Sequence, residues 1–175
     1  MKKLFYSALF AGLLSVPAFA DAVTHNSKGY TLGDVTWESV EVLTDSAKKG
    51  DPLAMYVLAW AYDEGNGVTE DDAVAEEWYA KAAPEIAKKA DTGDANAMVI
   101  LAEMYDEGNG IPKSKKKSAE WYKKAADKGN VVAIYELAEC YDEGSGVPKD
   151  KAKAQELYKA AADKGHAKAK EKVKS

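Results

Sequence analysis

The 175-residue sequence contains no arginine; all 24 of its basic residues are lysine. Bidentate clamping of phosphate or carboxylate relies on the planar guanidinium fork, so a site of that kind would need other groups. Cysteine occurs once, at Cys140, which excludes an internal disulfide. There are two histidines, His25 and His166, and neither has an evident nucleophile beside it. No apolar run reaches the roughly 20 residues that span a bilayer; the one near the start, Leu4 to Val16, is too short. The 29 acidic residues leave a formal charge of −5, and an acidic surface disfavours nucleic acid and anionic lipid as partners.

What is present begins with an address. Lys2 and Lys3, the apolar run, Pro17 and the small residues of Ala18-Phe19-Ala20 read as a secretory signal, residues 1–20, with cleavage predicted after Ala20. The mature chain would start at Asp21 and be periplasmic or secreted, with no membrane insertion after cleavage. Loss of Lys2 and Lys3 takes the charge from −5 to −7.

One phrase is written three times: YDEGNGV at Tyr62, YDEGNGI at Tyr105 and YDEGSGV at Tyr141. Gly50, Gly93, Gly129 and Gly165 mark units of 43, 36 and 36 residues. Before each phrase come Ala54/Ala97/Ala133 and Leu58/Leu101/Leu137; after it come EEWYAKAA, AEWYKKAA and QELYKAAA. Self-similarity at this period marks stacked supersecondary units.

Each unit reads as two helices. The first carries apolar residues at i, i+4 and i+8, and the glycines of the phrase end it and turn the chain back. Asp71, Ser114 and Asp150 are N-caps for the second helix, which ends at Gly93, Gly129 or Gly165. The extra seven residues of the first unit fall around PEIAKKA, Pro84 to Ala90. Seven residues make about two turns and preserve the inward face, so the second helix there is expected to be longer or kinked at Pro84, forming a local ridge.

The boundaries that follow are an N-terminal arm at 21–35 and a capping half-unit lacking its first helix at 36–50. Units at 51–93, 94–129 and 130–165 come next, then a lysine-rich capping helix at 166–175. The arm shows no clear periodicity. The expected fold is all-α, a right-handed α-solenoid with about three full units and partial caps.

These motifs, from Ala…Leu…Tyr-x-x-Gly-x-Gly-Val to Trp-Tyr-x-Lys-Ala-Ala-x-x-Gly, resemble the Sel-one-like repeat family of the tetratricopeptide superfamily, over nearly all of the mature chain. Ala59, Ala102 and Ala138 stand where the family usually has glycine, and Leu157 replaces the aromatic present at Trp78 and Trp121. The paired cysteines of the family's cysteine-rich branch are missing, so its disulfides and suggested activities do not carry over. The resemblance implies an adaptor in protein complexes. Exported bacterial members resemble host-interaction factors, or immunity proteins that neutralise a toxic effector; the latter is the second reading.

Within the repeat, the tyrosines and glycines serve packing and turning. Asp63-Glu64, Asp106-Glu107 and Asp142-Glu143 oppose the helix macrodipole, which leaves two explanations, duplication of the units or a use for a row of carboxylates. At about 100° per residue, Tyr56, Trp60 and Asp63 point away from the packed stripe, as do Val99, Glu103 and Asp106, and Tyr135, Glu139 and Asp142. First helices line the concave face of such stacks. These nine residues are therefore the expected partner groove, with Tyr56, Trp60 and Tyr135 as apolar anchors and the carboxylates selecting a basic protein or peptide. Packing between helices is the competing reading of the same side chains. Glycines at loop positions 3 and 5 fail an EF-hand, Cys140 falls on the packed face, and no phosphate loop is present. No metal, cofactor or catalytic residue is expected, and a small-molecule binder or hydrolase is the weakest alternative. Nothing in the sequence sets the oligomeric state.

Overall fold

The structure is a computed structural model that describes residues 23–26, 29–32 and 35–174. The expected signal segment and its cleavage point lie outside those residues. Eight helices follow one another: α1 (Val40–Lys48), α2 (Pro52–Glu64), α3 (Asp72–Asp91), α4 (Ala95–Glu107), α5 (Lys115–Asp127), α6 (Val131–Glu143), α7 (Lys151–Asp163) and α8 (Ala167–Lys174). Each packs mainly on its neighbours in sequence, so α2/α3, α4/α5 and α6/α7 are helical hairpins stacked in a row. No helix among the described residues is long and apolar enough to cross a membrane.

Local chemistry explains each boundary. Asp71, Ser114 and Asp150 accept backbone N–H bonds at the starts of α3, α5 and α7, as expected. Asp51, Asp94 and Asn130 do the same for α2, α4 and α6. The first glycine of each phrase ends a helix in the left-handed conformation, with φ of 65° at Gly65, 87° at Gly108 and 78° at Gly144, a region where a Cβ is strained. The second glycine lets units approach. A Cβ on Gly110 would strike the Tyr79–Ala80 backbone of α3, and one on Gly146 the Lys115–Lys116 backbone of α5.

Those two contacts show what the seven-residue insertion does. α3 is one unbroken helix of 20 residues with Pro84 inside it, whereas α5 and α7 have 13. Gly110 and Gly146 each meet the residue 31 positions earlier, so from the next unit α3 looks as if it began at Tyr79. Its first part follows α2 and its last 13 residues support α4. The expected ridge at Pro84 is thus a step in the stack, about 10 Å for seven residues at 1.5 Å each. Tyr79 and Ile86, seven apart, are both buried, which shows the inward face preserved.

The arm, for which no helix was expected, adds a small sheet to the helical stack. β1 (Val23–Asn26), β2 (Gly29–Leu32) and β3 (Val35–Trp37) form an antiparallel sheet in the order β1-β2-β3, pairing Val23 with Leu32 and Tyr30 with Trp37. β3 takes residues assigned to the half-unit, so α1 starts only after its N-cap Ser39. Val23, Tyr30, Leu32 and Trp37 are buried with Leu43 and Ala47 of α1. The Tyr30 hydroxyl donates to the Asn66 carbonyl at 2.7 Å, and it blocks a Cβ on Gly67 as helix backbone blocks one on Gly110. The sheet therefore stands where a preceding unit would lie, and the period-36 pattern could not announce it.

Candidate partner-binding groove

The first helices are apolar on more than one side. In α2, Tyr56 through Ala59 are all buried, as are Val99 through Ala102 in α4. The cause is the stack, since a first helix touches its own second helix, the preceding one and its counterparts. Rotation about a single helix axis misses those extra neighbours. Tyr56, Val99 and Tyr135, expected as groove residues, are consequently inside the protein, which corrects that expectation and favours the competing reading of helix packing. The Tyr56 ring tilts on Tyr79 at 5.6 Å, while Tyr135 stacks on His166 at 4.4 Å and tilts on Tyr158 at 5.7 Å.

The polar members remain reachable. Trp60, Glu103, Asp106, Glu139 and Asp142 are half-buried and Asp63 is exposed. The buried tyrosines hold these acids from beneath. The Tyr56 hydroxyl donates to Glu103 Oε2 at 3.1 Å, and the Tyr158 hydroxyl donates to Glu139 Oε1. Burial first, then the neighbouring carboxylates, pushes the phenols of Tyr56 and Tyr122 well up. They stay protonated, and a neutral phenol can donate to a carboxylate without cancelling its charge.

Lysines answer the row unevenly. Lys115 meets Asp106 at 2.5 Å, and Lys172 of α8 reaches back to Glu139 at 2.9 Å. In the first unit Asp72 stands at the position of Lys115. There the carboxyl of Asp63 is raised above 3.8, first by desolvation and then by repulsion from Glu64, Asp72, Glu70 and Glu107.

A small concavity of about 80 Å³ opens between α4, α5 and α6. Asp106, Glu136, Glu139 and Glu143 line it with Lys115, over Tyr122 and Cys140. Glu136 and Glu143 lie outside the helix face expected to line the groove; only their convergence on the same recess marks them. Four carboxylates against two lysines, Lys115 on Asp106 and Lys172 on Glu139, leave the recess with net negative charge, which suits the end of a single cationic side chain. The Cys140 thiol at its base is pushed up to about 12 by burial and nearby acids, so it remains an unreactive thiol. Among the described residues no cluster could hold a metal ion.

A row of stacked helical hairpins is the architecture of an interaction scaffold. The Sel1 repeat profile matches residues 52–83, 95–130 and 131–166, and the chain belongs to that family. Proteins of the family are generally protein–protein interaction modules, and their fold is typically non-enzymatic. Among solved structures, a Sel1 repeat protein from Oxalobacter formigenes is 35% identical, with 77% of this chain and 96% of that one covered and a TM-score of 0.52. A second, c5321, a protective antigen of uropathogenic Escherichia coli strains displaying an SLR fold, is also 35% identical, with a TM-score of 0.53. That match covers 74% of this chain and 26% of the antigen, so the chain spans about a quarter of it. No curated protein matches the chain.

Proposed function

We propose that the chain is an exported adaptor that binds a basic segment of a partner protein along its concave face. The observation that carries this reading is the recess lined by Asp106, Glu136, Glu139 and Glu143, in which the Tyr158 hydroxyl supports Glu139 and the net negative charge suits one lysine or arginine end. Trp60, half-buried where the other two units have Glu103 and Glu139, supplies an apolar contact on the first helix of the first unit. Export rests on the signal-like residues 1–20.

The test is affinity capture from envelope extract, comparing the protein with Trp60→Ala/Asp106→Asn/Glu143→Gln. None of these residues is fully buried, so the melting temperature should hold. A retained partner should weaken at least tenfold, about 1.4 kcal/mol, and wash off more readily as salt is raised. A partner held equally by both proteins would remove the groove from consideration. One tight partner that is toxic when expressed alone would convert the adaptor reading into the immunity reading.

A further inference from the structure

Charge is divided between the two ends of the stack. Residues 35–110 hold 17 Asp and Glu against 5 Lys, whereas residues 111–174 hold 10 against 16. Because helices pack in sequence order, this division is also spatial, with an acidic N-terminal end and a basic C-terminal end. The exposed large hydrophobic side chains among the described residues lie at the same two places, Val35 and Val42 at one end and Val173 at the other.

The repeat pattern shows that both ends depart from the interior in complementary ways. α1 packs on α2 as α3 packs on α4, so it is a second-type helix. Glu38 and Asp45 stand where α5 has Lys117 and Lys124, a reversal of sign at matched positions. α8 packs on α7 as α4 packs on α3, so it is a first-type helix. Where α6 buries Val132, Ile134 and Leu137, α8 has Lys168, Lys170 and the exposed Val173. No second-type helix among the described residues covers that face of α8.

From this complementarity we infer that the protein associates head to tail with a second copy of itself. The α8 face of one copy docks beside the sheet of the next, on the exposed face that carries Glu38, Val42 and Asp45, with Val173 meeting Val42 and Lys168 and Lys170 meeting Glu38 and Asp45. A second copy matches both ends, whereas a partner of a single charge would match one. The joined surfaces differ, so the contact is heterologous and extends into open chains unless its rotation closes a ring. It uses neither Trp60 nor the recess carboxylates and stands apart from the groove reading.

Sedimentation of the protein, expressed from its full-length sequence, tests the proposal with two variants. Glu38→Lys/Asp45→Lys places at the head the lysines that α5 already carries there; Lys168→Glu/Lys170→Glu reverses the tail. The unaltered protein should form species larger than a dimer as concentration rises in 0.01 M salt. They should disperse in 1 M salt, where the screening length falls from about 30 Å to about 3 Å. Each variant alone should be monomeric, because like charges then face each other. Carrying both reversals in one chain should restore assembly. Mixing the two variants should also restore assembly, in alternating order, since the intact tail of one meets the intact head of the other and the two altered ends are again of opposite sign. A monomer at every concentration would overturn the inference, as would assembly that survives either variant.

Discussion

The hydroxyls of Tyr56 and Tyr158 donate to Glu103 and Glu139, and their value depends on staying neutral. Burial keeps the phenols of Tyr56 and Tyr79 protonated, so Glu103 keeps a fixed donor without losing its charge. Asp63 is the row member whose surroundings oppose its ionisation. Its folded-state pKa lies above the usual 3.8, so the folded chain holds that proton more tightly than the unfolded chain does. The charged form therefore costs stability above the folded-state pKa, and the cost vanishes below the unfolded value. Asp63→Asn should raise the melting temperature by a few degrees at most at pH 7 and leave it unchanged near pH 3. An equal gain at both pH values would assign the effect to something other than the charge.

Helix α3 shows how an element absorbs an insertion. Adding two turns keeps Tyr79 and Ile86 on one buried face, so the stack shifts along the helix axis without turning over. Pro84 sits inside that helix and is exposed. Its ring removes one intrahelical hydrogen bond and crowds the preceding turn. Pro84→Ala should stabilise the protein by about 1 to 3 kcal/mol in urea unfolding, as helix propensity dictates, with an unchanged circular dichroism spectrum. A loss of stability would mean that the proline directs the helix path between the two offset hairpins. The period and the N-caps at Asp71, Ser114 and Asp150 were legible beforehand because they depend on neighbours within a turn. The step was not, because it concerns which part of α3 meets α4.

Stacking in sequence order makes the molecule nearly one-dimensional, with each hairpin stabilised by the one on either side. The two ends have a neighbour on one side only. Amide exchange should therefore be slowest in α3 through α6 and faster toward the sheet and α8. Uniform protection would mean that the chain opens as a single cooperative unit. With the hairpins in a row, the proposed partner groove would run from unit to unit. The groove carboxylates spread along it, and Lys115 and Lys172 temper its second and third units while the first stays acidic.

Repeat length, helix pairs, turn glycines and the composition that disfavours polyanion partners all followed from residue order, because each rests on interactions within a few positions. Tertiary structure alone decided which outward-pointing residues stay outside. Tyr56, Val99 and Tyr135 share a helix angle with Trp60 or Glu103 equivalents, yet they lie beneath helices that no single-axis rotation represents. It also decided that residues 23–26, 29–32 and 35–37 pair as a sheet, since its strands are three or four residues long and are held by burial against α1 and α2. The convergence of Glu136 and Glu143 on the recess likewise required α4, α5 and α6 to be placed side by side.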